Sequence, residues 1–462
     1  MKPKPNILFI ISDQHRYDCI GTSNKYPVIT PNIDRIASEG MWFNNAYTPI
    51  PICCPARQSL LCGRRSESFG ALWNYDITLP IPALPPSSYT WVKQLKTEGY
   101  QNILLGKWHI NPDFGPLDFG FDKYIKPRNL PNKNGFFGGE SQVGHDETNT
   151  WWLAENAIKE IEDSTRNGEE KPWNMMLSFD EPHLPCNTIK EFADLYAIDD
   201  IPKWDGFDDT FKDKPYIQRQ QLVNWNTEKM SWEDWAPSVR NYYAVITQMD
   251  AAIGKVLDKL DELGIADNTI VIYTSDHGDM CGSHKMLDKH YVLYEDVTHV
   301  PLVVKYPGVI PKNTKTSAYS VHFLDIAPTI LELCGLEKPE GVEFHGRSLM
   351  NILKTGGVIP QGWRDEAVTT YNGQQFGLYT QRSIVSHEWK YVWNLTDVDE
   401  LYNLHDDPGE LHNLMPKKLE LSEILADLRL RLYNTLCQED DRLVIYNGRS
   451  WIKAQLLEGR KL

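Results

Sequence analysis

The stretch Asn6-Ile7-Leu8-Phe9-Ile10-Ile11-Ser12-Asp13-Gln14 contains an apolar run that is followed by three polar residues, and we predict a first strand at Asn6–Ser12. Such a run is typical of a strand buried on both faces of a parallel sheet. The same character predicts further strands at Asn102–Leu105, Met175–Phe179, Thr269–Ser275 and Pro301–Tyr306. Helical patterns alternate with these runs, as in Ser238–Leu263, where apolar residues recur at three- and four-residue steps. The alternation predicts an α/β fold, a sheet built from βαβ units with helices on both faces.

Polar side chains follow four of these predicted strands at their carboxyl ends. They are Asp13 and Gln14, Lys107 and His109, His183, and Asp276 and His277. Open α/β sheets build their sites beyond the carboxyl ends of the strands. Because four strands share this feature, we expect these residues to meet in one site.

The oxygen and nitrogen donors of this set suit a divalent cation. Asp13 and Asp276 offer carboxylates, Gln14 offers a neutral carbonyl, and His277 offers a neutral nitrogen. Such ligands favour calcium, with magnesium and manganese as alternatives, over a thiolate zinc site. An aspartate after a strand is also a common helix N-cap, and for Asp13 alone that alternative stays open.

The segment Cys53-Cys54-Pro55-Ala56-Arg57 contains a cysteine two residues before a proline and four before an arginine. This spacing resembles the C-x-P-x-R signature of the type I sulfatases, with Cys62 the one unusual residue in the surrounding run. A buried structural thiol at the start of a helix is the alternative interpretation of Cys53.

Further segments carry the same resemblance from Asn6 to about Leu414. They are Gly99–His109, Asp276-His277-Gly278-Asp279, Pro182-His183-Leu184-Pro185, Asp288-Lys289-His290 with the following Tyr294-Glu295, and Glu400–Leu414. The resemblance implies an alkaline-phosphatase-like fold, with a large, mostly parallel central sheet and a smaller C-terminal α+β unit that carries an antiparallel sheet. We predict a catalytic domain over 1–360 and a C-terminal subdomain over 361–462.

The resemblance also implies the roles of individual residues. Cys53 would be oxidised to formylglycine (3-oxoalanine), whose hydrate attacks sulfur, so Cys53 joins Asp13, Gln14, Asp276 and His277 as a metal ligand. The other expected catalytic residues are Arg57, which holds the modified side chain, Lys107 and His109, which bind sulfate, and His183 and Lys289, which contact the sulfate and the departing oxygen.

Two positions depart from the usual family pattern. Gln14 stands where many sulfatases have a second aspartate, which leaves its role as a ligand open, and this pattern resembles that of choline sulfatases and phosphonate monoester hydrolases. Lys289 lies five residues before its aromatic residue instead of four, so His290 competes for the same role. His145 and His284 either contact substrate or are ordinary loop residues.

The overall charge and the cysteines restrict the class of protein. A formal net charge of −16 argues against nucleic acid or an anionic membrane as a partner. The eight cysteines are scattered, no apolar stretch is long enough to span a membrane, and the amino-terminal run is too short for a signal peptide. We therefore expect reduced thiols and a cytoplasmic protein.

These observations predict an enzyme that hydrolyses a sulfate ester of an aryl, carbohydrate or small alcohol. A phosphonate monoesterase or phosphodiesterase on the same scaffold is one alternative, and a non-catalytic binding relative is another. Tryptophans between 186 and 237 would stack on a sugar, enclose a quaternary ammonium group, or simply pack. The expected partners are the sulfate ester and a maturation enzyme that makes formylglycine, and the last stretch, Asp441–Leu462, would join a homo-oligomer interface.

Overall fold

A computed structural model of the chain describes residues 3–75, 81–128, 134–166, 171–374, 377–447 and 453–458. The strands are β1 Asn6–Asp13, β2 Met41–Tyr47, β3 Gln101–Gly106, β4 Lys123–Ile125, β5 Gly139–Ser141, β6 Trp173–Pro182, β7 Asn187–Ile189, β8 Thr269–Ser275, β9 Leu302–Lys305, β10 Thr314–Val321, β11 Ala367–Gln374, β12 Gly377–Ser386, β13 Trp389–Asn394 and β14 Glu400–Asn403. The α-helices are α1 Pro31–Ser38, α2 Cys53–Cys62, α3 Trp91–Thr97, α4 Asn149–Arg166, α5 Lys190–Ala193, α6 Tyr216–Trp225, α7 Trp232–Glu262, α8 Glu295–Thr298, α9 His322–Leu333, α10 Met350–Lys354 and α11 Ser422–Gln438. Within these described ranges, no helix is both long and apolar enough to cross a membrane.

Eight strands form the large sheet in the order β10-β2-β9-β8-β1-β6-β3-β4. Strand β1 lies in the middle and pairs in parallel with β6 and β8. Strand β9 is the antiparallel exception, between β2 and β8. The predicted α/β fold with a mostly parallel central sheet is therefore confirmed.

Side chains of β1 alternate between two apolar cores, one on each face of the sheet. Leu8 and Ile10 join the core that contains side chains of α1, α4 and α7. Ile7, Phe9 and Ile11 join the core that contains side chains of α2, α3 and α9. Because successive strand residues point to opposite faces, a strand covered on both sides needs the continuous apolar run seen in its sequence.

The longest helix begins earlier than its sequence pattern indicates. The prediction started at Ser238, after Pro237, whereas α7 begins at Trp232 and includes the proline. The Asp234 carboxylate accepts the backbone N–H of Ser231 at 2.8 Å and caps the helix there. This cap and the early position of the proline explain the difference.

Strands β5 and β7 form a separate two-stranded parallel sheet. The third sheet, called the small sheet below, is antiparallel, in the order β11-β12-β13-β14, and shares an apolar core with α11. This confirms the predicted C-terminal antiparallel unit, while the boundary after residue 360 stays a prediction. The backbone N–H of Thr370 donates to the Pro49 carbonyl at 2.9 Å, and the Thr369 hydroxyl donates to the Thr48 carbonyl at 2.7 Å. The small sheet thus supports the chain just before α2.

Candidate active site

The four strands whose ends carry the predicted polar residues are neighbours in the large sheet. The order β8-β1-β6-β3 places their carboxyl ends side by side. Asp13 ends β1, Lys107 follows β3, His183 follows β6, and Asp276 follows β8. The expected meeting of these residues at one edge follows from this strand order.

Cys53 is the first residue of α2 and is 1% exposed. Ile52 before it has extended backbone, and the Asn74 side chain accepts the N–H of Cys54 at 2.9 Å. Every residue of α2 is buried, and the helix ends at Gly63 in the left-handed conformation. The amino terminus of this helix, where its dipole is positive, therefore lies at the Cys53 side chain.

Cations surround the Cys53 sulfur. Lys289 Nζ and His277 Nε2 each lie 3.2 Å from Sγ, and Asp13 Oδ1 lies 3.7 Å from it. Burial and Asp13 raise the pKa of the Cys53 thiol, but Lys289, His277 and Lys107 outweigh them and hold the pKa well below its usual value. The position therefore favours a negative charge.

The Arg57 guanidinium group joins three strands to α2. Its Nε donates to Asp276 Oδ2 at 2.8 Å, its Nη1 to Ser178 Oγ at 2.8 Å, and its Nη2 to Asp13 Oδ2 at 3.0 Å. The sequence predicted that Arg57 would contact the modified residue 53. In the structure, the contacts of its nitrogens hold the two carboxylates in place.

Four buried side chains form a group that fits a metal ion. Ligand atoms of Asp13, Cys53, Asp276 and His277 all lie within 4.8 Å of one another. Burial raises the pKa of Asp276 to about 6, and the nearby Asp13 carboxylate adds to this. Two adjacent buried carboxylates of this kind are stabilised by a cation between them, and the group contains four of the five predicted ligands.

Gln14, the fifth predicted ligand, directs its side chain elsewhere. Its amide nitrogen donates to the Asp288 carboxylate, and its amide oxygen accepts the N–H of Leu184 at 3.2 Å. Only its backbone N–H reaches the metal-ligand group, where it donates to Asp276 Oδ1 at 3.3 Å.

Lys107, His109 and His183 lie on the more open side of the site. Lys107 Nζ is 2.8 Å from Asp13 Oδ2 and 3.6 Å from Asp180 Oδ1, and the Asp180 side chain is 46% exposed. His109 is half-buried beside the Tyr75 ring, and His183 Nδ1 contacts the Leu184 carbonyl at 2.6 Å. Substrate therefore has access from the Lys107 and Asp180 side.

Lys289 and His290 are separated by the structure. Lys289 contacts Cys53, whereas His290 Nε2 lies 2.7 Å from Asp288 Oδ2. Of the two residues, Lys289 is the one that contacts residue 53, and its role towards the sulfate stays a prediction.

The remaining histidine candidates contact other groups. His284 is buried with its Nδ1 2.6 Å from Asp209 Oδ2, and its ring stacks on Tyr294. His145 pairs with Glu191 and lies against the Trp151 ring. None of these contacts joins the Cys53 site, and a substrate role for these two histidines stays a prediction.

The tryptophans between 186 and 237 belong to the apolar interior. Trp204 and Trp235 are buried in the core that contains α7, and Trp225 and Trp232 pack partly buried against it. This supports the packing interpretation over a sugar- or ammonium-binding role.

Three residues of the site were missed by sequence reasoning. Ser178 binds Arg57, Asp180 lies beside Lys107, and Asp288 joins Gln14 to His290. Ser178 and Asp180 lie in β6, whose predicted end precedes His183, and Asp288 directly precedes Lys289. All three lie within a few positions of a predicted site residue in the sequence, and this closeness could have identified them as candidates.

Comparison with known families gives two matches. A family model described as Sulfatase matches residues 5–336, and one described as N-sulphoglucosamine sulphohydrolase, C-terminal, matches residues 282–438.

Individual proteins show similarity over nearly the whole chain. An uncharacterized sulfatase, YidJ, of Escherichia coli is 30% identical and aligns with 95% of this chain and 88% of its own. An N-acetylglucosamine-6-O-sulfatase of Bacteroides thetaiotaomicron is 24% identical, over 96% of this chain and 89% of its own. The crystal structure of a phosphonate monoester hydrolase of Agrobacterium radiobacter superposes with a TM-score of 0.80 at 23% identity, covering 94% of this chain and 96% of the other.

Proposed function

The chain belongs to the sulfatase family of the alkaline-phosphatase-like superfamily and is a sulfuric ester hydrolase, and we propose that it acts on an aryl, saccharide or small-alcohol sulfate through an oxidised Cys53. The N-acetylglucosamine-6-O-sulfatase relative, similar along nearly the whole chain, supports a saccharide substrate.

The observation that carries this proposal is the position of Cys53. Its sulfur stands at the amino terminus of a buried helix, within 3.2 Å of both an ammonium group and an imidazole. A formylglycine hydrate at this position supplies two hydroxyl groups on one carbon, one to attack sulfur and one to regenerate the aldehyde. A thiol or a serine hydroxyl lacks the second group, which is why the oxidation state of residue 53 is decisive.

Asp13, Asp276, His277 and residue 53 would hold the divalent cation, for which we propose calcium, with magnesium and manganese as alternatives. The bound cation would neutralise the two carboxylates and polarise an oxygen of the sulfate group. Arg57 keeps both carboxylates oriented, since its Nε and Nη2 donate to one oxygen of each.

The cationic side chains of this chain would bind the sulfate and assist its departure. Lys107 and Lys289 approach the Asp13–Cys53 group from different segments of the chain and would each donate to a sulfate oxygen. His183 and His109 stand on the open side, where the alcohol leaves. Burial, Lys289 and Lys107 lower the pKa of His183. We propose that His183 protonates the departing oxygen, with Lys289 as the alternative donor, and that His109 accepts a proton when the aldehyde is regenerated.

The first test is the mass of the tryptic peptide 36–57 from protein isolated from its native host. A mass that corresponds to formylglycine at Cys53 is the expected result. An unmodified thiol in protein that turns over a sulfate ester would contradict the proposed nucleophile.

A substrate panel tests the reaction. We expect release of sulfate from aryl and saccharide sulfates at a kcat/KM well above that for the matching phenylphosphonate monoesters. The reverse order would favour a phosphonate monoester hydrolase, whose fold this chain shares.

We also propose the cytoplasm as the compartment and a formylglycine-generating enzyme as a partner. All eight cysteines are free thiols in the structure, which agrees with a reducing environment. A homo-oligomer through the carboxyl-terminal stretch stays a proposal, and residues 448–452 and 459–462 of that stretch lie outside the described residues.

A further inference from the structure

Asp288 is a buried carboxylate that contacts three polar groups. It is 6% exposed, and it accepts a hydrogen bond from the side-chain amide of Gln14. Its Oδ1 lies 3.3 Å from Lys289 Nζ, and its Oδ2 lies 2.7 Å from His290 Nε2. One side chain thus joins the end of β1 to the segment that carries Lys289.

The orientation of the Gln14 amide follows from its second partner. The Leu184 backbone N–H donates at 3.2 Å, and only the amide oxygen can accept this bond. The amide nitrogen therefore faces Asp288, and it donates. The Gln14 carbonyl also accepts the Tyr242 hydroxyl at 2.6 Å, so the backbone of this residue is held as well.

Both partners have left-handed backbone, with φ of 68° at Gln14 and 63° at Asp288. Residues with a side chain seldom adopt this conformation unless the surrounding contacts maintain it. Both left-handed residues lie in the wall of the site, beside Lys289 and His183.

Lys289 depends on such support because its ammonium group is buried. It is 2% exposed, and its Nζ lies 3.2 Å from Cys53 Sγ. Burial disfavours the ammonium group, and the Asp288 carboxylate, whose Oδ1 lies 3.3 Å from Nζ, supplies a compensating negative charge. Without a neighbouring carboxylate, a buried ammonium group is costly and tends to move towards water.

We propose that Gln14 and Asp288 form a clamp that holds the Lys289 ammonium group against residue 53, and that both act as positioning residues for Lys289. The proposal rests on the proposed contact of Lys289 with the sulfate group. It also explains the departure from the Asp-Asp pattern. A carboxylate at position 14 would face the Asp288 carboxylate and repel it, whereas the amide makes the same contact a hydrogen bond.

Isosteric exchange of the two groups tests the clamp. Gln14→Glu brings two carboxylates together, and Asp288→Asn removes the carboxylate beside Lys289. We expect each change to lower kcat/KM for aryl sulfates about 10²-fold. In the double variant, the carboxylate and the amide exchange places and the hydrogen bond returns. We expect it to recover at least about tenfold over the weaker single variant, because the hydrogen bond that holds residue 288 in place is restored.

The leaving-group dependence separates positioning from a general loss of structure. In a series of aryl sulfates with graded phenol pKa, both single variants should show a steeper fall of kcat/KM with rising phenol pKa than the wild type. This is expected because a displaced Lys289 stabilises the departing oxygen less. An unchanged slope in both single variants would overturn the proposal.

Metal content tests the role of Gln14. We expect Gln14→Glu to retain the wild-type metal content per chain, measured by elemental mass spectrometry under limiting metal. A loss of metal large enough to account for the fall in kcat/KM, or a double variant no better than the single variants, would overturn the clamp.

The chain offers a matched control in the buried pair of Gln218 and Glu400. The Gln218 amide donates to Glu400 Oε2 at 2.9 Å, away from Cys53 and its neighbours. The same exchange, Gln218→Glu with Glu400→Gln, should change the melting temperature but leave the leaving-group slope at the wild-type value.

Melting temperatures of the Gln14 and Asp288 variants report the contact without any turnover. Recovery of the melting temperature in the double variant supports the hydrogen bond whether or not the wild type releases sulfate. If the wild type released no sulfate, the proposed function and the role of Lys289 would be contradicted, but the hydrogen bond would still be supported. Absence of thermal recovery overturns the clamp whatever the activity.

Discussion

At the scale of single residues, Cys53 separates catalysis from folding. Its side chain is small and buried, so Cys53→Ser and Cys53→Ala change little of the packing. We expect both variants to lose turnover by about 10³-fold or more, since neither can form an aldehyde hydrate. The measurement is kcat on an aryl sulfate together with the melting temperature. A kcat within tenfold of the wild type would contradict the assignment of the nucleophile.

Arg57 gives a second prediction, in which charge is kept and shape is changed. A lysine at this position can reach one of the three acceptors Asp13, Ser178 and Asp276 but lacks the planar fork that reaches all of them. We expect Arg57→Lys to lower kcat/KM about 10²-fold and the free energy of unfolding by about 2–3 kcal/mol.

The control for this change is Arg382→Lys in the small sheet. Arg382 is also buried, and it donates to Asp441 at 2.6 Å and to the Tyr371 carbonyl at 3.0 Å. The Arg382→Lys variant should lose about as much unfolding free energy as Arg57→Lys and keep the wild-type kcat. If Arg57→Lys lost stability alone, Arg57 would be only a structural residue.

At the scale of elements, strand β3 is bordered by two glycines with the same unusual backbone. Gly99 has φ of 88° and Gly106 has φ of 91°. A Cβ at Gly106 would lie 1.9 Å from the Ser178 carbonyl oxygen in the paired strand β6, whereas nothing lies within 4 Å of a Cβ at Gly99. The two positions therefore separate backbone strain from a steric clash.

We expect Gly99→Ala to lower the free energy of unfolding by about 1–2 kcal/mol, the cost of the left-handed conformation alone. Gly106→Ala should cost at least about 2 kcal/mol more, because β3 must move away from β6. It should also lower activity, since Lys107 follows directly. Urea unfolding and kcat/KM of both variants provide the check. Equal losses of unfolding free energy would show that a small shift of the backbone is enough to accommodate a Cβ at Gly106.

The elements show where sequence patterns suffice. The continuous apolar runs predicted β1, β3, β6, β8 and β9, because burial on both faces demands such runs. Strands β2 and β10 were not predicted. Strand β2 contains Asn44 and Asn45, and β10 alternates exposed and buried residues along its first half, so neither has a continuous apolar run. Their pairing with each other, distant in the chain, decides their structure.

At the scale of the whole molecule, His345 lies in the segment after α9, where that segment contacts Arg65. It lines a cavity of about 300 Å³ together with residues of the large sheet, the small sheet and α11. Its Nδ1 accepts the backbone N–H of Arg65 at 3.1 Å, which requires the neutral ring. Burial, with Arg65 and Arg64, lowers the pKa of His345 to about 3.

This lowered pKa predicts a loss of stability in acid. The unfolded chain takes up the proton near pH 6.5 and the folded chain only near pH 3, so the stabilisation present above pH 6.5 falls as the pH decreases between these values. Because the ring is half-buried, we expect the free energy of unfolding to fall by about 1 kcal/mol from pH 7 to pH 5. His345→Asn keeps an acceptor for Arg65 and cannot ionise, so its urea-unfolding free energy should fall less over this range. Equal pH dependence in both proteins would contradict the assignment.

The sequence by itself determined the α/β class, the carboxyl-end location of the site and the identity of most of its residues. It could do so because apolar runs reflect burial, and because the spacing of Cys53, Pro55 and Arg57 resembles the sulfatase signature. Asp13, Lys107, His183 and Asp276 were predicted from the ends of strands alone.

The tertiary structure decided which of these groups touch. Whether Gln14 turns to the metal ligands or to Asp288, and whether Lys289 or His290 reaches Cys53, depends on contacts between segments more than 200 residues apart. The sequence neighbours Lys289 and His290 both contact Asp288, but of the two it is Lys289 that reaches Cys53. The backbone on either side of them is left-handed, at Asp288 and at Tyr291. Such conformations are maintained by packing, and no local pattern in the sequence specifies them.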